Sequence, residues 1–163
     1  MTTAHSPVLH LVCGKIAAGK STLTSSLAQA PNTVLLSEDK LLSALYPEEI
    51  LSVADYVRCS ARLRSAIQAL VVDILAAGSS VVLDFPANTV ATRAWMKTLL
   101  EHTAAAHCLH YLDVSDDECK RRLRLRNKEG GHQFNASEAE FDQITRFFVP
   151  PAEEEGFNVV KAG

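Results

Sequence analysis

Short runs of apolar residues alternate along this chain with longer stretches in which apolar residues recur every three or four positions. The short runs are typical of buried β-strands, and the longer stretches indicate helices with one apolar face. The predicted strands are 8–13, 33–36, 80–84, 106–114 and 157–160. The predicted helices are 19–29, 40–46, 48–77 (one long helix or two stacked ones), 89–102, 116–128 and 137–148. This alternation predicts an α/β fold with a mostly parallel sheet covered on both faces.

The composition fits one compact domain spanning residues 1–163. Hydrophobic residues make up 47% of the chain, enough for a substantial core. The formal net charge is -3, whereas a general nucleic-acid binder is usually strongly basic, so nucleic acid is not the expected partner. No signal peptide or long apolar run is evident, and the four cysteines lie far apart without metal-finger spacing. We therefore expect a cytoplasmic monomer or homodimer with no membrane association.

Residues 14–21, Gly-Lys-Ile-Ala-Ala-Gly-Lys-Ser, match the pattern GxxxxGK[ST] at every fixed position. Its glycines let the backbone curl so that N–H groups point at phosphate oxygens, and the following helix adds its positive N-terminal end. Lys20 would span the β- and γ-phosphates as a catalytic residue, and Ser21 would hold Mg2+. The alternative is a glycine-rich turn with a helix-capping serine. The predicted ATP-binding residues are Gly14, Lys15, Ile16, Ala17, Ala18, Gly19, Lys20, Ser21 and Thr22.

Acidic residues follow two of the predicted strands, at the edge of a parallel sheet where ligands bind. Asp84 ends the third strand and could hold Mg2+ directly or through water; the alternative is an aspartate that caps the next turn. Asp39 follows the second strand and could act as the catalytic base that takes the proton of an acceptor hydroxyl. Asp39 could instead cap the following helix, and Glu38 is the other candidate base.

Six of the sixteen Lys and Arg residues lie within 119–128. Such a basic helix is ordinarily a solvated face, but in an acidic chain it also fits a lid whose arginines stabilise a transferred phosphoryl group. Arg122 and Arg126 lie four apart and share a face, so they are the predicted catalytic arginines. With the two glycines at 130–131 as a hinge, the lid would extend over about 119–135.

The acceptor pocket of such a fold would lie against the helix 48–77. Arg58 and Arg62 lie four apart on this helix and could bind an anionic substrate, with exposed salt bridges as the alternative. Phe134, just after the basic helix, could contact adenine or close the core.

The chain resembles the small P-loop kinases grouped with zeta toxin, chloramphenicol phosphotransferase and the polynucleotide 5'-kinase domain, and most of all the compact bacterial AAA-family ATPases. The resemblance covers nearly the whole chain. The features that carry it are the loop 14–21, the acidic residue after the second strand, the strand ending in Asp84, and Cys-x-x-Arg-Leu-x-x-Arg-Asn at 119–127.

This resemblance implies a three-layer P-loop NTPase fold with five parallel strands in the order 2-3-1-4-5. It implies that Lys20 and Ser21 bind ATP and Mg2+, that Asp39 is the general base, and that Arg122 and Arg126 are lid arginines.

The segment 84–89, Asp-Phe-Pro-Ala-Asn-Thr, together with Arg93, is similar to the Asp-x-Thr-Asn…Arg segment of polynucleotide kinases but has one extra residue. The similarity implies that Asn88 and Arg93 bind substrate.

The leading functional hypothesis is an ATP-dependent kinase that phosphorylates a hydroxyl of a small molecule. A polynucleotide 5'-hydroxyl kinase is the second hypothesis, favoured by the segment around Asn88 and opposed by the acidic net charge. The third is a nucleotide-dependent switch or ATPase that hydrolyses slowly and has no small acceptor.

Overall fold

The computed structural model describes residues 5–130 and 136–162, in which a five-stranded sheet is flanked by helices. The strands are β1 (Val8–Gly14), β2 (Thr33–Ser37), β3 (Ser80–Pro86), β4 (Ala106–Leu112) and β5 (Val159–Ala162). The helices are α1 (Lys20–Leu27), α2 (Glu38–Leu45), α3 (Val53–Ala76), α4 (Val90–Glu101), α5 (Asp116–Glu129) and α6 (Glu138–Thr145). A short 3-10 turn, Glu153–Glu155, precedes β5.

All neighbouring strands pair in parallel, in the order β2-β3-β1-β4-β5. This order confirms the predicted α/β fold and its 2-3-1-4-5 sheet. The central strand β1 leads at its carboxyl end into the loop 15–19, and β3 ends beside it. Side chains from several elements therefore meet at one edge of the sheet, as expected for an open parallel fold.

Apolar side chains pack on both faces of the sheet. The larger cluster lies between the sheet and helices α3 and α4, with Leu9, Leu83 and Leu109 among its fully buried members. The smaller cluster lies where α5 and α6 meet the loop after β1, and it includes Leu123 and Phe141. Helix α1 packs against β1 and β3. The loop 15–19 after β1 is therefore supported by packed apolar side chains.

The acidic pair after β2 lies inside a helix. Helix α2 begins at Glu38, and the hydroxyl of Ser37 accepts a hydrogen bond from the backbone N–H of Lys40. Ser37 is therefore the N-cap, and Asp39 is free of the capping role considered from the sequence. Both carboxylates lie in the first turn of α2, where negative charge is favoured by the helix dipole.

The stretch predicted as 48–77 forms one helix, α3, which begins at Val53. The hydroxyl of Ser52 accepts the N–H of Asp55, which fixes the start of the helix five residues later than expected. Helix α6 ends at Thr145, before the expected 148, and β5 is displaced two residues toward the C-terminus. None of the helices in the described ranges is long and apolar enough to cross a membrane.

Candidate active site

The loop after β1 has the tight shape expected of a phosphate cradle. A side chain at Gly14 would place its Cβ 3.2 Å from the Cβ of Leu112 and 3.3 Å from that of Ala18, so these neighbours would have to shift by a few tenths of an ångström to admit one. Gly19 has φ 104° and Ala17 has φ 63°, both in the left-handed region. The curled backbone ends at the N-terminus of α1, where unpaired N–H groups attract anions.

Lys20 points back into this loop. Its Nζ donates hydrogen bonds to the carbonyl oxygens of Gly14, at 2.5 Å, and Lys15, at 2.8 Å. Burial lowers the pKa of Lys20 to about 8, against the neighbouring charges of Asp84 and Asp39, which favour the protonated form. The ammonium group is thus held among carbonyls and carboxylates at the end of the sheet.

The Lys15 side chain leaves the loop. Its Nζ lies 2.6 Å from Oδ1 of Asp116, donates to the carbonyl of Val114 and lies over the ring of Phe148. Only the backbone of Lys15 therefore faces the loop interior, and its side chain ties the loop to the first turn of α5.

Oxygen donors suited to a hard cation lie beside the loop. Ser21 is exposed in the first turn of α1, and one turn later Thr24 donates from Oγ1 to Oδ2 of Asp84, at 3.2 Å. Burial raises the pKa of Asp84, the Thr24 hydrogen bond lowers it, and the charge of Asp39 raises it further. The hydroxyl of Ser21 and the carboxylate of Asp84 supply oxygen donors, the kind of ligand that Mg2+ prefers.

The two carboxylates at the start of α2 differ in environment. Glu38 is only 4% exposed and accepts hydrogen bonds from the hydroxyls of Tyr56 and of Ser60, the latter at 2.8 Å. Burial raises the pKa of Glu38. Asp39 is exposed, and its charge acts on Lys20 and Asp84. Asp39 is therefore the carboxylate open to the cleft, whereas Glu38 is held by the protein.

Helix α5 directs two arginines inward. Nη1 of Arg122 donates to the carbonyl of Ala18 in the loop, at 3.1 Å, and its Nε pairs with Glu118. Nε of Arg126 is buried and has no hydrogen-bond partner among residues 5–130 and 136–162. Burial lowers the pKa of Arg126, and the charge of Asp39 opposes that shift. Arg126 thus faces the same cleft as Asp39.

Three other cations of α5 form ion pairs on the surface. Arg121 pairs with Glu118, Arg124 with Glu138, and Lys120 with Asp142. The basic helix therefore has a solvated outer face and an inner face that carries Arg122 and Arg126, and its function as a lid stays a prediction. Within the expected lid, Gly131 and Phe134 lie outside the described residues.

The arginines expected to contact substrate on α3 lie on its exposed side. Arg58 pairs with Asp55, and Arg62 is also exposed. Arg64 is the α3 arginine that faces the cleft, because its charge acts on Glu38. Its Nη1 donates to Thr92 at 3.4 Å. Arg64 lies four residues after Ser60 on the buried stripe of α3, a spacing that could have identified it.

Asn88 and Arg93, implied as substrate ligands, are bonded to the protein. The side-chain amide of Asn88 bonds both backbone groups of Gly14. Arg93 is completely buried, and all three of its guanidinium nitrogens donate to protein oxygens, from Glu155 and from carbonyls at 87, 149 and 150. A substrate cannot reach Arg93, so the expected contact is corrected to a structural role.

Comparisons with known proteins agree with this fold. The fold is shared with a protein of Chloroflexus aurantiacus to which a kinase activity has been ascribed, at a TM-score of 0.74 and 22% identity over 98% of this chain and 86% of that one. It is also shared with Chaetomium thermophilum Kti12 in complex with ADP-AlF3, at a TM-score of 0.69 and 15% identity over 96% of this chain and 88% of that one.

A gluconokinase from Sinorhizobium meliloti has the same fold, at a TM-score of 0.59 and 17% identity over 97% of this chain and 83% of that one. Among curated proteins, none matches this chain in sequence. The sequence matches the AAA domain family over residues 9–151, nearly its whole length. With this match and a P-loop kinase-like sheet, the chain belongs to the AAA domain family.

Proposed function

We propose that this protein is an ATP-dependent kinase that transfers the γ-phosphoryl group of ATP to a hydroxyl of a small molecule. The proposal depends most on one observation: an exposed carboxylate, Asp39, lies within electrostatic reach of Lys20, Asp84 and Arg126. A phosphoryl-transfer site needs this combination of cations for the phosphates and a carboxylate for the incoming hydroxyl.

The loop 14–21 would bind the triphosphate, with backbone N–H groups and the α1 N-terminus contacting its oxygens. Lys20 would exchange its bonds to the loop carbonyls for the β- and γ-phosphates. The exposed hydroxyl of Ser21 and the carboxylate of Asp84 would hold Mg2+. Bound Mg2+ would neutralise charge on the phosphate oxygens.

Asp39 would orient the acceptor hydroxyl and take its proton as transfer proceeds. Glu38 is a poorer candidate base because Tyr56 and Ser60 already occupy its carboxylate oxygens. Arg122 and Arg126 would stabilise the charge that spreads over the γ-phosphoryl oxygens. The buried Nε of Arg126 supports this role: no described residue accepts a hydrogen bond from it, and a bound anion would supply that partner.

The acceptor would enter between α3 and α4. Arg64 reaches across this gap to Thr92 and lies over the ring of Trp95, so the wall combines a cation with an aromatic surface. A small polar acceptor suits such a wall. The engagement of Asn88 and Arg93 by the protein removes the main sequence argument for a polynucleotide acceptor.

The test is acceptor-dependent ADP release in the presence of Mg2+, measured over a panel of hydroxylated metabolites, nucleosides and antibiotics. We expect one class to stimulate turnover, and Asp39→Asn to abolish that stimulation while nucleotide binding persists. Asp73→Asn, an exposed position on α3 outside the site, is the matched control and should behave as wild type.

The result that would contradict the proposal is equal ATP turnover with and without every acceptor, unchanged in Asp39→Asn. That outcome would favour the nucleotide-dependent switch. Loss of nucleotide affinity in Lys20→Ala would still support the phosphate cradle in either case.

A further inference from the structure

The two sides of the phosphate loop are supported in different ways. On the β4 side, Gly14 continues the parallel ladder opposite Leu112. On the β3 side the register shifts after Leu11, which pairs with Leu83, while the next residue of β1 pairs with Pro86. The last backbone bond on this side joins the N–H of Ala87 to the carbonyl of Val12, at 2.8 Å. The strand then turns away toward α4.

The side chain of Asn88 bonds to Gly14 where the backbone of β3 would otherwise continue the ladder. Its Oδ1 accepts the N–H of Gly14 at 2.9 Å, and its Nδ2 donates to the Gly14 carbonyl at 2.8 Å. A side-chain amide carries the same donor and acceptor as a peptide group, so Asn88 extends the sheet by one step. The register shift absorbs the additional residues of β3 and brings Asn88 to this position.

Asn88 is itself held by the chain that approaches β5. Its carbonyl accepts the N–H of Val149 at 2.9 Å, and the carbonyl of the preceding Ala87 accepts Nη1 of Arg93 at 2.9 Å. Arg93 also holds the carbonyls of Val149 and Pro150. The backbone of Asn88 is therefore held in place by its bond to Val149 and, through Ala87, by the buried Arg93.

The Gly14 carbonyl also accepts Nζ of Lys20, at 2.5 Å. When Lys20 moves to a phosphate, this buried carbonyl loses that donor, but the amide of Asn88 remains bonded to it. An unsatisfied buried carbonyl would oppose the movement of Lys20.

We infer that Asn88 is a positioning residue for nucleotide binding: it fixes the first residue of the phosphate loop and keeps the Gly14 carbonyl bonded when Lys20 turns to the phosphates. This inference rests on the proposed function only in that the loop binds a triphosphate. It differs from the substrate contact implied by the sequence, because Asn88 would affect the phosphate groups through Gly14 and would touch neither nucleotide nor acceptor.

The test measures the Kd of ATP and of inorganic triphosphate by calorimetry. For Asn88→Ala we expect both ligands to bind about tenfold or more weakly, the loss that follows from one buried backbone pair left without partners. Equal losses for the two ligands would place the effect on the phosphates. Asn88→Asp keeps the acceptor for the Gly14 N–H but loses the donor, and should also bind both ligands more weakly.

The NMR signal of the Gly14 amide distinguishes a local effect of Asn88 on the phosphate loop from a general loss of protein stability. Selective 15N-glycine labelling gives at most seven amide signals. The Gly14 signal should shift in Asn88→Ala, which removes its acceptor, and shift less in Asn88→Asp, which retains an acceptor. Asn158→Ala is the matched control: this exposed amide donates to the His107 carbonyl, and its loss should change neither the Gly14 signal nor the Kd values.

Three results would overturn the inference. Wild-type Kd values in Asn88→Ala, with Lys20→Ala impaired, would contradict it while leaving the proposed function intact. Weaker binding of ATP with unchanged binding of triphosphate would assign Asn88 to a nucleoside contact instead. A wild-type protein that binds neither ligand would overturn the proposed function as well.

Discussion

Two arginines, the completely buried Arg93 and the partly buried Arg126, show how differently one type of side chain can be used in this molecule. On α4, every guanidinium nitrogen of Arg93 is hydrogen-bonded to a protein oxygen. Its Nε lies 2.7 Å from Oε1 of Glu155, which pairs its charge. At the mouth of the cleft, Arg126 has a buried Nε with no partner in the described ranges and faces Asp39.

This difference distinguishes an arginine that supports the fold, Arg93, from an arginine suited to binding a ligand, Arg126. Burying a charged group is unfavourable unless its hydrogen bonds and charge are satisfied, and the protein itself meets that demand for Arg93. Among the described residues, none accepts a hydrogen bond from Nε of Arg126, as expected where an anionic ligand would supply that partner. The state of an arginine's donors, rather than its burial, therefore indicates which role it has.

Replacing Arg126 should have the largest effect on turnover. We expect Arg126→Ala to lower kcat by about 10³-fold, the scale of an arginine that stabilises phosphoryl transfer, with little change in thermal unfolding. Arg124→Ala, on the outer face of the same helix, should keep the wild-type rate because Arg124 only pairs with Glu138 at the surface. Equal losses in the two variants, measured as acceptor-dependent ADP release, would contradict the distinction.

Replacing Arg93 should have the largest effect on folding. Arg93→Leu leaves Glu155 without its partner and three backbone carbonyls without a donor, so we expect a loss on the order of 3 kcal/mol in the free energy of unfolding. Urea unfolding measures this loss, and a variant that fails to fold gives the same answer. Wild-type stability combined with lost activity would instead make Arg93 part of the site.

Lys20 combines features of the two arginines. Its Nζ is hydrogen-bonded to loop carbonyls, as Arg93 is to the protein, but it would have to release them to bind a phosphate. Its pKa is lowered to about 8 by burial, so a bound phosphate should raise that pKa and cause proton uptake. We expect uptake of about half a proton per nucleotide from Lys20 near pH 8, falling toward zero by pH 6, where Lys20 is already protonated.

Calorimetry in buffers of different ionisation enthalpy measures that uptake. Lys20→Arg is the control, since arginine stays protonated over this range and should show no uptake from this position. Identical proton uptake in the two proteins at pH 8 would contradict the assignment to Lys20.

Patterns close together in the sequence were sufficient for the fold and the phosphate loop. The alternation of apolar runs predicted the five strands, and their order followed from the resemblance to P-loop kinases. Helix starts were less well predicted. Ser37 and Ser52 are the N-caps of α2 and α3, and neighbouring polar residues in the sequence suit the same capping role.

The distinction between Glu38 and Asp39 needed the tertiary structure. Adjacent carboxylates look alike in a sequence, and only the packing of α3 against α2 brings Tyr56 and Ser60 to Glu38. The same is true of Arg64, which faces the cleft while Arg58 and Arg62 lie on the exposed side of the helix.

By itself, the sequence determined a parallel α/β sheet and the position of the loop 14–21, because both depend on local spacing and on residues that only certain backbone shapes accept. The tertiary structure decided which arginines have their hydrogen-bond donors paired within the protein, and which side-chain amide bonds to Gly14 at the start of the loop. Those assignments depend on partners from distant segments, such as 88 with 14 and 93 with 155, and hydrogen-bond satisfaction exists only once these segments have packed together.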